Sequence, residues 1–127
     1  MNRIIKVAAL PIKEGKLLLV RSKNQQVFFT VGGKIESGET ELQCLQREVK
    51  EEIGCDFINA QYFNTFEGPA HNQDKNVILI CYFVELIGEP VAQSEIGEFQ
   101  WWDSKSKVLL SHMLSQYILP TLASRLG

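Results

Sequence analysis

Four glutamates on one helix-forming segment are the residues best suited to chemistry. The segment from Thr40 to Ile53 contains no glycine or proline, and Gly54 follows it as a stop signal. At about 100° per residue, one stripe of this helix is apolar and an arc on the opposite side is acidic. The stripe is Leu42, Leu45, Val49 and Ile53, and the arc is Glu41, Glu48, Glu51 and Glu52.

Two interpretations of the acidic arc are open. One interpretation is an acidic helix face exposed to water. Like charges one turn apart oppose helix formation by a few tenths of a kcal/mol per pair, and Arg47 and Lys50 can partly relieve this repulsion. The other interpretation is a metal site, because the glycine-rich segment from Gly32 to Gly38 leads into the helix. A bare backbone carbonyl beside carboxylates offers the oxygen ligands that Mg²⁺ prefers.

The glycine-rich segment and the helix together match a family pattern. Gly33 is followed after five residues by Glu39, and after seven more by the run Arg47-Glu48-Val49-Lys50-Glu51-Glu52-Ile53-Gly54-Cys55. This spacing resembles the Nudix box of the Nudix (MutT-like) hydrolases. Two positions depart from the pattern: Val31 stands where many members have a proline, and Cys55 replaces a larger aliphatic residue.

The resemblance implies a metal-dependent hydrolase. Its reaction would be hydrolysis of a phosphoanhydride bond in a nucleoside diphosphate linked to another group. Cations that bridge the phosphate oxygens lower the repulsion felt by the attacking water and stabilise charge on the leaving phosphate. The ligands of Mg²⁺ or Mn²⁺ would be Glu48, Glu51, Glu52 and the carbonyl of Gly32.

The same resemblance leaves the general base open. Glu48, Glu52 or a carboxylate from a later loop would activate the water, and Glu98 is the candidate from the loop before Trp101. Arg47 would orient the acidic cluster by pairing with a carboxylate such as Glu39, two turns earlier.

Candidate substrate-binding residues lie mostly outside the box. Arg21 and Lys23 follow the second predicted strand, and Arg21 resembles in position a phosphate-contacting arginine of MutT-like members. Phe28 offers an aromatic face on which a base could stack, and Lys34 lies inside the box. The alternative for Arg21 and Lys23 is that they are charged side chains exposed to water at a strand end. The alternative for Phe28 is that its ring packs in the core.

Three functions remain open from the sequence. A (d)NTP pyrophosphohydrolase, releasing a nucleoside monophosphate and pyrophosphate, comes first because the chain is short and lacks the markers of other subfamilies. An ADP-ribose or other NDP-sugar hydrolase comes second, since Pro69 lies within one or two residues of a proline found in ADP-ribose hydrolases. A nucleotide-sensing domain is the third, and the intact set of box carboxylates argues against it.

The elements that must position these residues indicate an α/β fold. The pattern predicts two helices, the second over Val108 to Leu126 and kinked or broken at Pro120. The polar stretch from His71 to Asn76 separates two long strands. We therefore expect one domain over residues 1–127, a Nudix-type α/β/α sandwich with a mixed sheet and a helix on each face. The predicted strands are Ile4–Leu10, Lys16–Arg21, Val27–Val31, Phe57–Phe66, Val77–Ile87 and Phe99–Trp102.

The composition disfavours several classes of binding partner. The 127 residues carry a net charge of −2, which argues against binding polymeric nucleic acid through clustered basic residues. The acid excess belongs to the box, because residues 33–55 hold six acids and three bases while the remaining residues hold nine and ten. Three cysteines without CxxC spacing indicate neither zinc nor disulfides, and no apolar run reaches the roughly 18 residues of a membrane span. We expect a cytoplasmic monomer or homodimer that binds a small nucleotide and no membrane.

Overall fold

Six strands form one mixed sheet in the part of the chain that the computed structural model describes, residues 3–70 and 74–127. His71 lies outside the described residues. The strands are β1 (Arg3–Lys13), β2 (Lys16–Ser22), β3 (Phe29–Lys34), β4 (Asp56–Pro69), β5 (Asn76–Ile87) and β6 (Ile96–Trp102). Their order across the sheet is β4-β5-β1-β3-β2-β6, with β1 and β5 parallel and the other neighbours antiparallel.

The central strand β1 organises the sheet. Its residues Val7 to Leu10 are fully buried, as apolar side chains with strands on both sides should be. It pairs with β5 from Arg3 to Pro11 and with β3 from Lys6 to Ala9. Strand β3 is paired with β2 only through Phe29 and Thr30. The glycine end of β3 is therefore unpaired on its β2 side.

Helix α1 (Glu41–Ile53) forms where the sequence predicts it. Thr40 caps its first turn in a capping box with Gln43, and Gly54 ends it at φ 68°. The expected apolar stripe needs one correction, because Leu42 is 45% exposed. Cys44 is buried instead, so the buried face of α1 is rotated from the expected stripe towards Cys44.

Each face of the sheet carries its own hydrophobic core. One core joins α1 to Val7, Ala9 and Val31. The other packs the C-terminal residues, Leu114 among them, against Ala8 and neighbouring strands. Strand β5 contributes to both cores, as its apolar residues at odd and even positions predict. The predicted α/β sandwich with a mixed sheet is confirmed.

The C-terminal helical segment is shorter and less regular than the sequence predicts. It consists of a π-helix (Leu114–Ile118), a single α turn (Leu119–Thr121) and a 3-10 turn (Ala123–Arg125). Residues 108–111 are held extended, because the backbone of Phe28 bonds to both Leu109 and Ser111. Pro120 lies just after the π-helix and has no N–H to donate to the preceding turn. The wider turn over 114–118 accommodates this missing hydrogen bond. No helix in the described ranges is long and apolar enough to cross a membrane.

The strands that flank the box also differ from expectation. Strand β3 runs from Phe29 to Lys34 rather than from Val27 to Val31, so the glycine pair lies in a strand and the loop begins after it. Gly32 has φ 145°, and a Cβ there would overlap the carbonyl of Val7. Its conformation and its close approach to β1 both require glycine.

Candidate active site

The C-terminal half of α1 presents three carboxylates at different depths. The Glu48 side chain is 13% exposed and that of Glu51 is 54% exposed. Glu52, one turn after Glu48, is partly buried against the glycine end of β3. The helix therefore carries two carboxylates that are partly or largely buried, Glu48 and Glu52, and one that is exposed to water, Glu51.

Glu52 is fixed by the backbone of β3. Because β2 does not pair with this end of the strand, the amide of Gly32 is available to donate to Oε1 of Glu52, at 3.0 Å. The neighbouring Gly33 leaves room for Glu48, since a Cβ at that position would overlap the Glu48 carboxylate. The two glycines thus let the helix carboxylates approach the strand backbone.

Burial makes the charged forms of these carboxylates costly. It raises the pKa of Glu52 to about 8, with Glu48 and Glu51 adding to the rise and the Gly32 amide opposing it. Burial also raises the pKa of Glu48, and the neighbouring Arg47 opposes that rise. Carboxylates with raised pKa values cluster at functional sites, which makes Glu48 and Glu52 candidates for chemistry or for binding a cation.

Arg47 ties the loop to the helix. Its Nε donates to Oε2 of Glu39 at 2.6 Å and its Nη2 donates to Oε1 at 3.1 Å, the bidentate geometry that arginine and carboxylate favour. Its Nη1 donates to Oε1 of Glu48 at 2.9 Å, and its Nη2 also reaches the carbonyl of Lys34 at 3.1 Å. The expected pairing with Glu39 is present, and it is closer than the 3.6 Å contact with Glu51.

The contacts of Arg47 change the acidity of Glu39. Hydrogen bonds from Arg47 and from the amide of Glu36 lower the pKa of Glu39 to about 2. A carboxylate held in this way stays charged throughout the physiological range, so the arginine keeps its partner. Arg47 therefore acts on the cluster by fixing the position of Glu48.

The other end of α1 is held by the loop between β5 and β6, a contact that sequence patterns do not reveal. The amide of Val91 donates to the carbonyl of Ile53 at 2.9 Å, and the amide of Gln93 donates to the carbonyl of Glu52 at 3.0 Å. These bonds satisfy two carbonyls at the helix end that have no partner within the helix. They also fix the backbone that carries Glu52.

Glu52 and the two glycines border a cavity of about 550 Å³. Glu52, Gly32 and Gly33 lie in its wall, together with residues of β1 and β5. The opposite part of the wall comes from the C-terminal helical segment. The cavity has the size of a small-molecule site. The other lining residues are Ile4, Lys6, Val7, Val20, Ser22, Gln25, Gln26, Val27, Phe29, Thr30, Ala70, Val77, Leu79, Ile96, Ser111, Met113, Leu114 and Ile118.

Arg21 and Glu98 are placed together, away from this cavity wall. Glu98 lies on β6 rather than in the loop before it, directly opposite Arg21 of β2. The Arg21 Nε donates to Oε1 of Glu98 at 2.9 Å, and this bond is the main reason that the pKa of Glu98 is lowered. The expectation that Glu98 lies in a loop is therefore wrong, because it belongs to β6 and is paired there with Arg21 of β2.

The remaining substrate-binding candidates also lie outside the cavity lining. Phe28 is 3% exposed within the core, so it has no free ring face for a base, and its proposed stacking role is corrected to packing. Lys23 and Lys34 are exposed. The sequence interpretation missed Lys6, although a lysine that interrupts an apolar strand was a visible signal.

The donor set suits a hard divalent cation. It consists of carboxylate and carbonyl oxygens, and the space beside Gly33 admits the Glu48 carboxylate close to the strand. In residues 3–70 and 74–127 no three His, Cys, Asp or Glu side chains are arranged to hold a metal ion. The reason is visible, since Glu48 is turned to Arg47 and Glu52 to the Gly32 amide.

Comparison with known proteins gives consistent matches. A family model described as the NUDIX domain matches residues 3–117. An 8-oxo-dGTP diphosphatase of Haemophilus influenzae is 35% identical over 108 residues, which cover 80% of this chain and 76% of that protein. The m7GpppN-mRNA hydrolase of Saccharomyces cerevisiae is 30% identical over 84% of this chain, but the chain spans only 11% of its length.

Solved structures share the fold. The structure of a MutT NUDIX hydrolase from Burkholderia pseudomallei superposes with a TM-score of 0.79 at 16% identity, covering 100% of both chains. A UDP-X diphosphatase structure gives a TM-score of 0.77 at 20% identity, covering 87% of this chain and 55% of that one. At these identities the likeness concerns the fold.

Proposed function

The chain belongs to the Nudix family, and from that premise we propose that it is a pyrophosphohydrolase acting on a nucleoside diphosphate derivative. The proposed substrate is a (d)NTP, cleaved to a nucleoside monophosphate and pyrophosphate. One observation carries the proposal: the partly buried carboxylates of Glu48 and Glu52 meet the glycine end of β3, and Glu52 and both glycines lie in the wall of a cavity of about 550 Å³.

The relatives favour a small nucleotide as the substrate. The Haemophilus influenzae 8-oxo-dGTP diphosphatase matches over most of both chains, so its substrate class is the one best supported for this chain. Relatives that act on capped RNA, such as the NAD-capped RNA hydrolase of Pseudomonas aeruginosa, are matched over only 31% of their length. The net charge of −2 also disfavours a polymer as the partner.

Four groups are proposed to hold Mg²⁺ or Mn²⁺: the side chains of Glu48, Glu51 and Glu52, and the carbonyl of Gly32. When bound, such ions reduce the repulsion between phosphate oxygens and water and make bound water more acidic. Glu51, which is 54% exposed, can rotate towards an ion at little cost. Glu48 and Glu52 would move less, because Gly33 and Gly32 already place them beside the strand.

The chemical step is a hydrolysis in which a water oxygen forms a bond to phosphorus and the anhydride P–O bond breaks. Glu48 or Glu52 is proposed to accept the proton of the water, since a buried carboxylate is a better base than one in water. The leaving pyrophosphate takes the electron pair of the broken bond. Arg47 is a positioning residue in this scheme, because its guanidinium holds Glu48 and the loop carboxylate Glu39.

The test is a panel of NTPs, dNTPs, dinucleotides and nucleotide sugars, assayed for release of phosphate or pyrophosphate with Mg²⁺ or Mn²⁺. We expect turnover of at least one (d)NTP, and a loss of at least about 100-fold in Glu48→Gln and in Glu52→Gln. Glu85→Gln is the matched control, because Glu85 is an exposed acid on β5 outside the cavity wall. Near wild-type rates in either box variant would contradict the assignment. Saturable binding of a nucleotide without turnover would indicate a sensor.

A further inference from the structure

Lys6 interrupts an otherwise apolar strand face. Along β1, Ile4, Ala8 and Leu10 belong to the core that packs against the C-terminal helical segment, and Lys6 lies at the position between Ile4 and Ala8. Its register neighbours are Leu79 on β5 and Lys34 on β3. A lysine at such a position costs stability unless its ammonium group has a partner.

No such partner exists within the described chain. The side chain is partly buried, yet across residues 3–70 and 74–127 it makes no hydrogen bond or close ion pair. Burial and the charge of Lys34 lower the pKa of Lys6, while the charges of Glu52 and Glu48 favour its charged form. Within the described residues, Lys6 is therefore attracted by Glu52 and Glu48 without forming a close ion pair with either.

The place of Lys6 in the cavity indicates what it meets. On the β3 side of Lys6 the wall includes Gly32 and Gly33, together with Glu52, which is bonded to the Gly32 amide. On the other side the wall is apolar and includes Val77 and Leu79. A nucleotide that reaches from the apolar part to the carboxylates must carry its first phosphate past this boundary.

We propose that Lys6 binds the phosphate attached directly to the nucleoside, the one that remains on the monophosphate product. This inference rests on the proposed function for the orientation of the nucleotide. An ammonium group supplies a point charge and up to three donors to the non-bridging oxygens. It also offsets the negative charge of the box carboxylates, which would otherwise repel the phosphate.

The experiment measures binding, so it does not depend on turnover. Isothermal titration calorimetry in Mg²⁺ gives dissociation constants for the common ribonucleoside and deoxyribonucleoside monophosphates and for their parent nucleosides. In Lys6→Gln we expect the monophosphate that binds the wild type to lose about tenfold or more in affinity. The affinity for its nucleoside should stay within about twofold, because the nucleoside lacks the phosphate.

Two further variants make the result specific. Lys6→Arg keeps the charge and should bind the monophosphate within about threefold of the wild type. Lys16→Gln removes an exposed lysine of β2 outside the cavity and should change nothing. Thermal melting of each variant establishes that it is folded, and if Lys6→Gln does not fold, Lys6→Arg is compared with Lys6→Met in the same way.

Several outcomes would overturn the inference. An equal loss for monophosphate and nucleoside would show that Lys6 only shapes the cavity, and an unchanged monophosphate affinity would show that it does not meet the phosphate. Absence of monophosphate binding in the wild type would also overturn it. Failure of the proposed function appears separately, as wild-type protein that binds a monophosphate but hydrolyses no nucleotide in the panel.

Discussion

The ionisation of Glu52 should make the metal-free protein less stable as the pH rises. Burial raises the pKa of this carboxyl to about 8 in the folded protein, whereas a glutamate in an unfolded chain titrates near about 4.3. Between these two values the folded state binds a proton that the unfolded state does not. The stabilisation from this group is therefore complete below about pH 4 and is lost as the pH rises towards 8.

The size of the effect follows from the separation of the two pKa values. Each unit corresponds to about 1.4 kcal/mol, which gives an upper limit of about 5 kcal/mol. Water reaches part of the side chain, so we expect about 2–3 kcal/mol. Glu52→Gln removes the ionisation while its amide oxygen can still accept the hydrogen bond from Gly32. The variant should therefore not show this loss.

The assay is urea denaturation in EDTA at about pH 4, where the glutamate is largely protonated in both states, and at pH 8.5. The free energy of unfolding should be similar for wild type and Glu52→Gln at the lower pH, and higher for the variant at the upper pH. Addition of Mg²⁺ at pH 8.5 should stabilise the wild type and not the variant. Glu85→Gln, which changes an exposed acid, should follow the wild type throughout. Parallel pH dependence in wild type and Glu52→Gln would refute the reasoning.

Three other substitutions test how the site is held. Arg47→Lys loses the bidentate contact with Glu39 and should lower kcat about tenfold or more in a nucleotide hydrolysis assay, with Glu39→Gln giving a similar loss. Gly33→Ala should displace the Glu48 carboxylate and reduce kcat by about 100-fold, with a smaller effect on the melting temperature. Phe28→Ala should lower the free energy of unfolding by about 3–5 kcal/mol in urea, because the ring is in the core.

Each of these has an outcome that contradicts it. The double variant of Arg47 and Glu39 should lose no more activity than the worse single variant, and losses that multiply would mean that the two act separately. Gly127→Ala is the control for Gly33, because a Cβ there meets only the carbonyl of Gly15 at 3.8 Å. A Phe28 variant of unchanged stability but weakened nucleotide binding would restore its stacking role.

Local signals accounted for the parts of the fold that sequence could predict. Thr40 and Gly54 fix both ends of α1 because capping depends on neighbouring residues. The Arg47–Glu39 pair also follows from spacing along one segment. By contrast, the partner of Glu98 is set by the register between β2 and β6, and the burial of Phe28 by backbone bonds to the C-terminal segment. Such long-range pairings have no local signature.

The same distinction explains the active site. The sequence identifies the carboxylates, but it does not show which contacts keep Glu48 and Glu52 buried, where their charged forms are disfavoured. Arg47 and Glu39 fix the strand-facing side of α1, and the amides of Val91 and Gln93 fix its C-terminal end. These contacts fix the backbone from which the Glu52 side chain reaches the Gly32 amide. Burial raises the pKa of Glu52, and the loop between β5 and β6 contributes to that buried position through a backbone bond from a distant part of the sequence.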